Sequence, residues 1–186
     1  LGALLTAAKL DVARIKPKLQ QAAPDLLERL AHLTESLNAG IALKRRIIED
    51  LRPSTLDSLG LCPALEILCA DFKERSGLSV VADLQPVHLP PRADLTVFRL
   101  VQEALTNVAK YARASQVKVR LREIDGDAEV AVEDDGVGFD TVGATPGSHG
   151  LMGMRFRVEA ERGRFVLRSA KGQGTLIQAW LPLQPE

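Results

Sequence analysis

Two short segments that alternate apolar and polar residues, Val117 to Ile124 and Ala128 to Glu133, meet at Asp125-Gly126-Asp127. A period of two turns one face of each segment toward a core, and an Asp-Gly pair between such segments is a strong hairpin signal. The middle of the chain is therefore an antiparallel pair of strands with one dry face, which other elements must cover.

The flanking segments supply that cover. Gly77 opens a strand expected from Leu78 to Leu84, the Pro86 to Pro91 connection leads into a long helix from Arg92 to Ala112, and a further helix ends near Arg75. Beyond the hairpin, Gly136 to Gly150 is expected to be a mobile loop because it carries little apolar content. A helix from Leu151 to about Arg162 follows, then strands Phe165 to Ser169 and Thr175 to Leu181, split by Lys171-Gly172-Gln173-Gly174. Five strands and three helices predict an α+β, two-layer sandwich: a mixed sheet with its helices on one face.

Ahead of this lies a different pattern. Between Asp25 and Asp50 the apolar positions Leu30, Leu33, Leu37, Ile41 and Ile48 form one narrow helical seam, with Lys44 inside it as either a register device or a snorkelling side chain. Ala22-Ala23-Pro24-Asp25 interrupts it and Pro17 kinks or frays the preceding helix, so a two-helix hairpin is expected. Two narrow seams cannot make a core alone, and a homodimer through a four-helix bundle is predicted. The boundaries expected are a helical hairpin over residues 1–59, with a linker from Asp57 to Cys62, and a sheet domain over 60–186.

Lysine plus arginine equals aspartate plus glutamate at 24 each in the 186 residues, so no overall field favours nucleic acid or an anionic membrane. No apolar run approaches the roughly 20 residues that cross a bilayer. Cys62 and Cys69 lack neighbours at metal-ligand spacing and are expected to be buried apolar side chains of a reducing compartment. His32 and His88 stand apart from any carboxylate or nucleophile and are expected to be structural, and His149 is expected to be a loop residue.

The candidate chemistry is concentrated in four segments. On the Arg92 to Ala112 helix, Glu103, Asn107 and Lys110 share a face, and a carboxylate, an amide oxygen and an ammonium suit a magnesium-bound polyphosphate. Asp134-Asp135-Gly136-Val137-Gly138 follows a strand directly, which poises Asp134 to accept a hydrogen bond from an amino group such as that of adenine. Gly147, Gly150 and Gly153 precede or open a helix whose N-terminus can receive an anion. Gly172-Gln173-Gly174-Thr175 closes the series.

In this order the four segments resemble the ATP-binding domain shared by sensor histidine kinases, type II topoisomerases, heat-shock chaperones of the ninety-kilodalton class and mismatch-repair ATPases. The hairpin ending in Leu-Arg-Pro-Ser-Thr-Leu-Asp-Ser-Leu-Gly-Leu, residues 51 to 61, resembles the dimerisation region of the nitrate and membrane-fluidity sensors. The resemblance implies that Asn107 ligates magnesium, Glu103 orients or deprotonates the acceptor, and Lys110 contacts phosphate. It implies Asp134 as the adenine acceptor, with Gly136 and Gly138 shaping the adenine pocket and Thr175 closing it. Gly150, Leu151, Gly153 and Met154 then belong to the lid side, and Tyr111 stands where the family often has histidine.

ATP and Mg2+ are the implied cofactors and a response-regulator receiver domain the implied partner. The expected protein is the cytoplasmic transmitter portion of a two-component sensor kinase, with membrane attachment only through other parts of the parent. In the register of Leu1-Gly2-Ala3-Leu4-Leu5-Thr6, the phosphoacceptor histidine would precede Leu1, so this stretch is expected to bind nucleotide without phosphorylating itself. Ala3 falls where relatives with strong phosphatase activity carry glutamine. Two other readings are a non-catalytic dimeric nucleotide-binding module and a serine kinase with the same pocket, which would have no use for the hairpin.

Overall fold

The computed structural model describes residues 7–15, 26–51, 53–140 and 148–183, and the chain divides into two compact units, Leu1–Ser54 and Thr55–Glu186. In the first, α1 spans residues 7–15 and α2 spans Leu27–Leu51. Leu10, Ile15 and Leu33 of these helices are exposed while Val12 is buried. The expected features at Leu1 to Thr6, Pro17 and Ala22 to Asp25 lie outside the described residues.

Across the linker expected from Asp57 to Cys62 the chain is helical on both sides of Gly60: α3 (Ser54–Leu59) was not expected, and α4 (Leu61–Ser76) is the helix expected to end near Arg75. Gly60, at φ 82°, makes the break between them, and Leu56 and Leu61 on either side of it are buried, which is what holds so short a helix in place. Gly77 does not start a strand. It caps α4 in the left-handed conformation at φ 72°, its N–H donating to Lys73 O at 3.0 Å.

The sheet contains β1 (Ser79–Leu84), β2 (Gln116–Ile124), β3 (Asp127–Asp134), β4 (Arg164–Ser169) and β5 (Thr175–Pro182) in the order β1-β2-β3-β5-β4. β1 joins β2 in parallel and every other pairing is antiparallel. A parallel neighbour requires a crossover, and α5 (Pro91–Asn107) provides it, with Pro91 in the first turn where its missing N–H costs nothing. Asp125 and Gly126 have φ of 53° and 84°, the two left-handed residues of a type I′ turn matched to the twist of its strands.

With α6 (Ser148–Ala160), helices α4 and α5 cover one face of the sheet. Val117, Val119 and Leu121 of β2 and Val130 and Val132 of β3 meet Leu65, Val97, Leu100, Val101 and Leu105 in one core. The opposite face is dressed by cross-strand polar pairs. Arg122 pairs with Asp83, Gln178 Nε2 donates to Glu129 Oε1 at 2.9 Å, and the Arg164 guanidinium lies 3.9 Å from the centre of the Trp180 ring. Cys69 is buried as expected, its thiol pushed up to about 11 by desolvation; Cys62 is half-buried and its thiol donates to Gln85 O at 3.2 Å.

Candidate functional site

The last turns of α5 leave the regular helix. Val108 to Ala112 form a π turn, whose wider i to i+5 bonding keeps the residue four positions on above its predecessor and swings the one three positions on off that face. Tyr111 therefore joins Asn107 on one wall, while Lys110 is exposed and off it. The turn stops at Arg113, which is left-handed at φ 50°.

Opposite stands the end of β3. Asp134 is buried, a costly position for a charge unless donors compensate. Burial pushes its carboxyl above the ordinary range and the nearby Asp135 charge adds to this, while the Gly136 N–H and hydrogen bonds from Thr175 act the other way. The Gly136 N–H reaches Oδ1 at 2.9 Å. The carboxylate lines a recess, where it is an acceptor suited to an amino group.

The glycine segment after Asp134 was expected to open a mobile loop, and its first residues are instead clamped on both sides. Val137 N–H donates to Ala112 O at 2.7 Å, and a β-carbon on Gly136 would sit 2.3 Å from the same oxygen. Gly138, at φ 54°, would put a β-carbon 2.0 Å from Ala170 O. The Phe139 N–H donates to Ser169 Oγ at 2.9 Å, and that hydroxyl donates to Gly174 O at 2.8 Å and lies 3.2 Å from Thr175 Oγ1. Residues 141–147, the rest of the expected loop, lie outside the described residues.

These walls enclose a cavity of about 230 Å³, largely apolar, with Asn107, Tyr111, Asp134 and Thr175 as its polar groups. Ala104, Val108 and Ala112 from the α5 side, Val132 and Ile177 from the sheet, and Val137, Gly138 and Phe139 from the clamp complete it with Leu151 of α6. An apolar slot with few polar groups fits a flat heterocycle.

Helix α6 starts at Ser148, three residues earlier than expected, so Gly150 and Gly153 lie inside it. Gly150 leaves room for Glu103, whose Oε1 lies 2.3 Å from the position a β-carbon would take. Gly153 faces the Arg157 guanidinium, and Met154 is buried in the core.

The structure thus gathers Asn107, Tyr111, Asp134, Gly138, Leu151 and Thr175 on one cavity, with Gly136 behind its wall and Glu103 against Gly150. It does not bring Lys110, Gly153 or Met154 to that wall. Ser169 escaped the sequence reading, and Val137 and Phe139 lay in a singled-out segment without being assigned to the site. The fourfold spacing Ala104, Val108, Ala112 beside Asn107 and Tyr111 was a usable signal; Ser169 had none.

Among the described residues no three His, Cys, Asp or Glu side chains form a metal cluster.

A helix-covered mixed sheet with a buried acid at a strand end and an amide on the facing helix defines a nucleotide-binding α/β sandwich. Residues 93–185 match the histidine kinase-, DNA gyrase B-, and HSP90-like ATPase family, and the chain belongs to it. Its sheet unit is a histidine kinase ATP-binding domain.

The chain is 37% identical over 166 residues to the signal transduction histidine-protein kinase/phosphatase DegS of Brevibacillus brevis, covering 87% of this chain and 42% of that protein. It is 39% identical over 153 residues to the sensor histidine kinase MctS of Rhizobium johnstonii, covering 80% and 33%. The chain therefore spans less than half the length of either relative. A histidine kinase domain from the Erythrobacter litoralis EL346 blue-light activated histidine kinase shares the fold at a TM-score of 0.60 and 22% identity, over 97% of this chain and 94% of that one. Among the described residues no helix is long and apolar enough to cross a membrane.

Proposed function

We propose that this chain is the transmitter portion of a two-component sensor histidine kinase related to the nitrate and membrane-fluidity sensors. It binds ATP with magnesium and supplies the γ-phosphoryl group to an acceptor histidine, from which it passes to an aspartate of a response-regulator receiver domain. The observation that carries this reading is the facing pair of Asp134 at the cavity floor and Asn107 on the helix wall.

In this scheme Asp134 accepts the adenine amino group, the apolar walls take the ring, and Asn107 would hold the magnesium against the phosphate oxygens. The bound cation would neutralise charge on the transferring group. Glu103, one turn before Asn107, accepts the proton from the other ring nitrogen of the imidazole as the attacking nitrogen's bond to phosphorus forms and the bond to ADP breaks. The helical unit is proposed to dimerise through the seam of α2, and the protein to work in the cytoplasm. A concentration-dependent mass measurement that finds only monomer would remove the dimer.

Calorimetric titration with a non-hydrolysable ATP analogue and magnesium tests the pocket. Saturable binding by the wild type that weakens strongly in Asp134→Asn is expected, and equal binding by both proteins would end this reading. Tyr111, an exposed phenol where a cation would help phosphate, favours one alternative: a dimeric nucleotide-binding module without catalysis. Labelled phosphate appearing on histidine in the parent protein would exclude it.

A further inference from the structure

Asp135 takes no part in the cavity wall, yet its side chain accepts three hydrogen bonds. Oδ1 accepts the backbone N–H groups of Ser115 at 2.8 Å and Gln116 at 2.9 Å, and Oδ2 accepts the Ser115 hydroxyl at 2.5 Å. Its own N–H donates to Gln116 O at 3.3 Å.

The placement gives these bonds a meaning beyond turn geometry. Asp134 is the last residue of β3, paired with Val117, and a strand end frays where its ladder stops. Gln116 N–H finds the Asp135 carboxylate beyond that last pair, so a side chain continues the ladder one rung past Asp134. Ser115 also lies just after the π turn, whose Tyr111 lines the cavity with Asn107. The Ala112 O to Val137 N–H bond closes the other side of the same small circuit. One carboxylate thereby ties the wall that carries Asp134 to the wall that carries Asn107 and Tyr111. The Ser115 hydroxyl first, and then the Gln116 and Ser115 N–H groups, hold that carboxyl down at about 2, so it is ionised wherever the protein works.

We infer that Asp135 is a positioning residue for nucleotide recognition, fixing the distance between the Asp134 acceptor and the Asn107–Tyr111 wall. This rests on the cavity being the ATP site. A loosened rung lets Asp134 drift, and the interaction lost first is the one that distinguishes an adenine amino group from a guanine carbonyl. Binding should then weaken, and the preference for ATP over GTP should shrink with it.

The experiment measures affinities for ATP and GTP analogues with magnesium on the whole chain, well below its unfolding temperature, together with the nucleotide-free Tm. Asp135→Ala is expected to weaken ATP binding about tenfold and to lower the ATP-to-GTP ratio by a similar factor. Asp135→Asn, whose amide oxygen still accepts both N–H groups and whose NH2 can meet the Ser115 oxygen, should stay within about twofold of wild type. Ser115→Ala removes one bond of the three and should show a smaller loss in the same direction, which keeps the test open if Asp135→Ala does not fold. A lower Tm with unchanged affinity and unchanged ATP-to-GTP ratio would overturn the inference, as would an Asn variant as impaired as the Ala variant. A wild type that binds neither nucleotide would instead overturn the ATP site itself, and this role with it.

Discussion

Oε1 of Glu103 lies 2.3 Å from where a β-carbon on Gly150 would stand. The obstructing atom is the tip of a flexible side chain, so Gly150→Ala should displace Glu103 and leave the helix intact, with Tm unchanged or slightly raised by the better helix former. Phosphoryl transfer in the parent kinase should fall about tenfold or more. In a Glu103→Ala background the same substitution should cost nothing further. Additive losses in that double-mutant cycle, read from γ-labelled ATP, would refute the contact's importance.

Two left-handed glycines should respond differently to alanine. At Gly172, φ 78°, nothing lies within 4 Å, so only the backbone penalty of roughly 1–2 kcal/mol applies and nucleotide affinity should hold. At Gly138 the new methyl meets Ala170 O at 2.0 Å and Gly174 O at 2.7 Å, both backbone atoms that cannot swing aside. Urea unfolding should show a larger loss there, and titration a loss of binding.

Asp134 has a carboxyl raised by burial, so its ionised form is disfavoured on folding. The sign follows: wild type carries this handicap above its folded pKa and sheds it as pH falls toward the unfolded value of 3.8. Asp134→Asn should therefore be as stable as wild type or more so at neutral pH while binding nucleotide poorly. The Tm difference should shift in favour of wild type on acidification.

Asp135 runs the other way. Its folded pKa, about 2, lies below the ordinary 3.8, so its ionised form contributes stability above 3.8 that disappears between 3.8 and about 2. The Tm gap between wild type and Asp135→Asn should be flat through neutral pH and close across that acid window.

Trp180 is the single tryptophan, and Arg164 stacks on it on the sheet face opposite the cavity. Arg164→Ala should shift its emission and cost about 0.5–1 kcal/mol. Saturating nucleotide should leave the wild-type emission unchanged; a large change would mean that binding repacks the sheet.

Much of the fold was readable because burial imposes period. The alternation in β2 and β3 names the faces that are in fact buried. Asp125-Gly126 could be read because only a mirror-image turn fits twisted strands. The π turn was not legible, since Val108 to Ala112 carries the same residue types as a regular helix and one inserted residue leaves no compositional trace. Nor were the bonds of Asp135 and Ser169, which join segments 20 and 30 positions apart in the chain and depend on how those segments meet. The helix Ser54–Leu59 was missed because its stability comes from buried Leu56, not from its Ser- and Asp-rich sequence.

The two halves of the cavity differ in how far along the chain their contacts reach. Asp134 ends a hairpin whose contacts are local and so form cheaply, whereas Asn107 and Tyr111 reach it only when α5 has docked and β1 has added to the far side of β2. Nucleotide therefore has nothing to bind until the crossover is complete, and what it binds is the finished domain alone. By mass action, ATP at a hundred times its dissociation constant would favour that state by about 2.7 kcal/mol. A cell rich in ATP would in this way keep the domain folded as well as supply it.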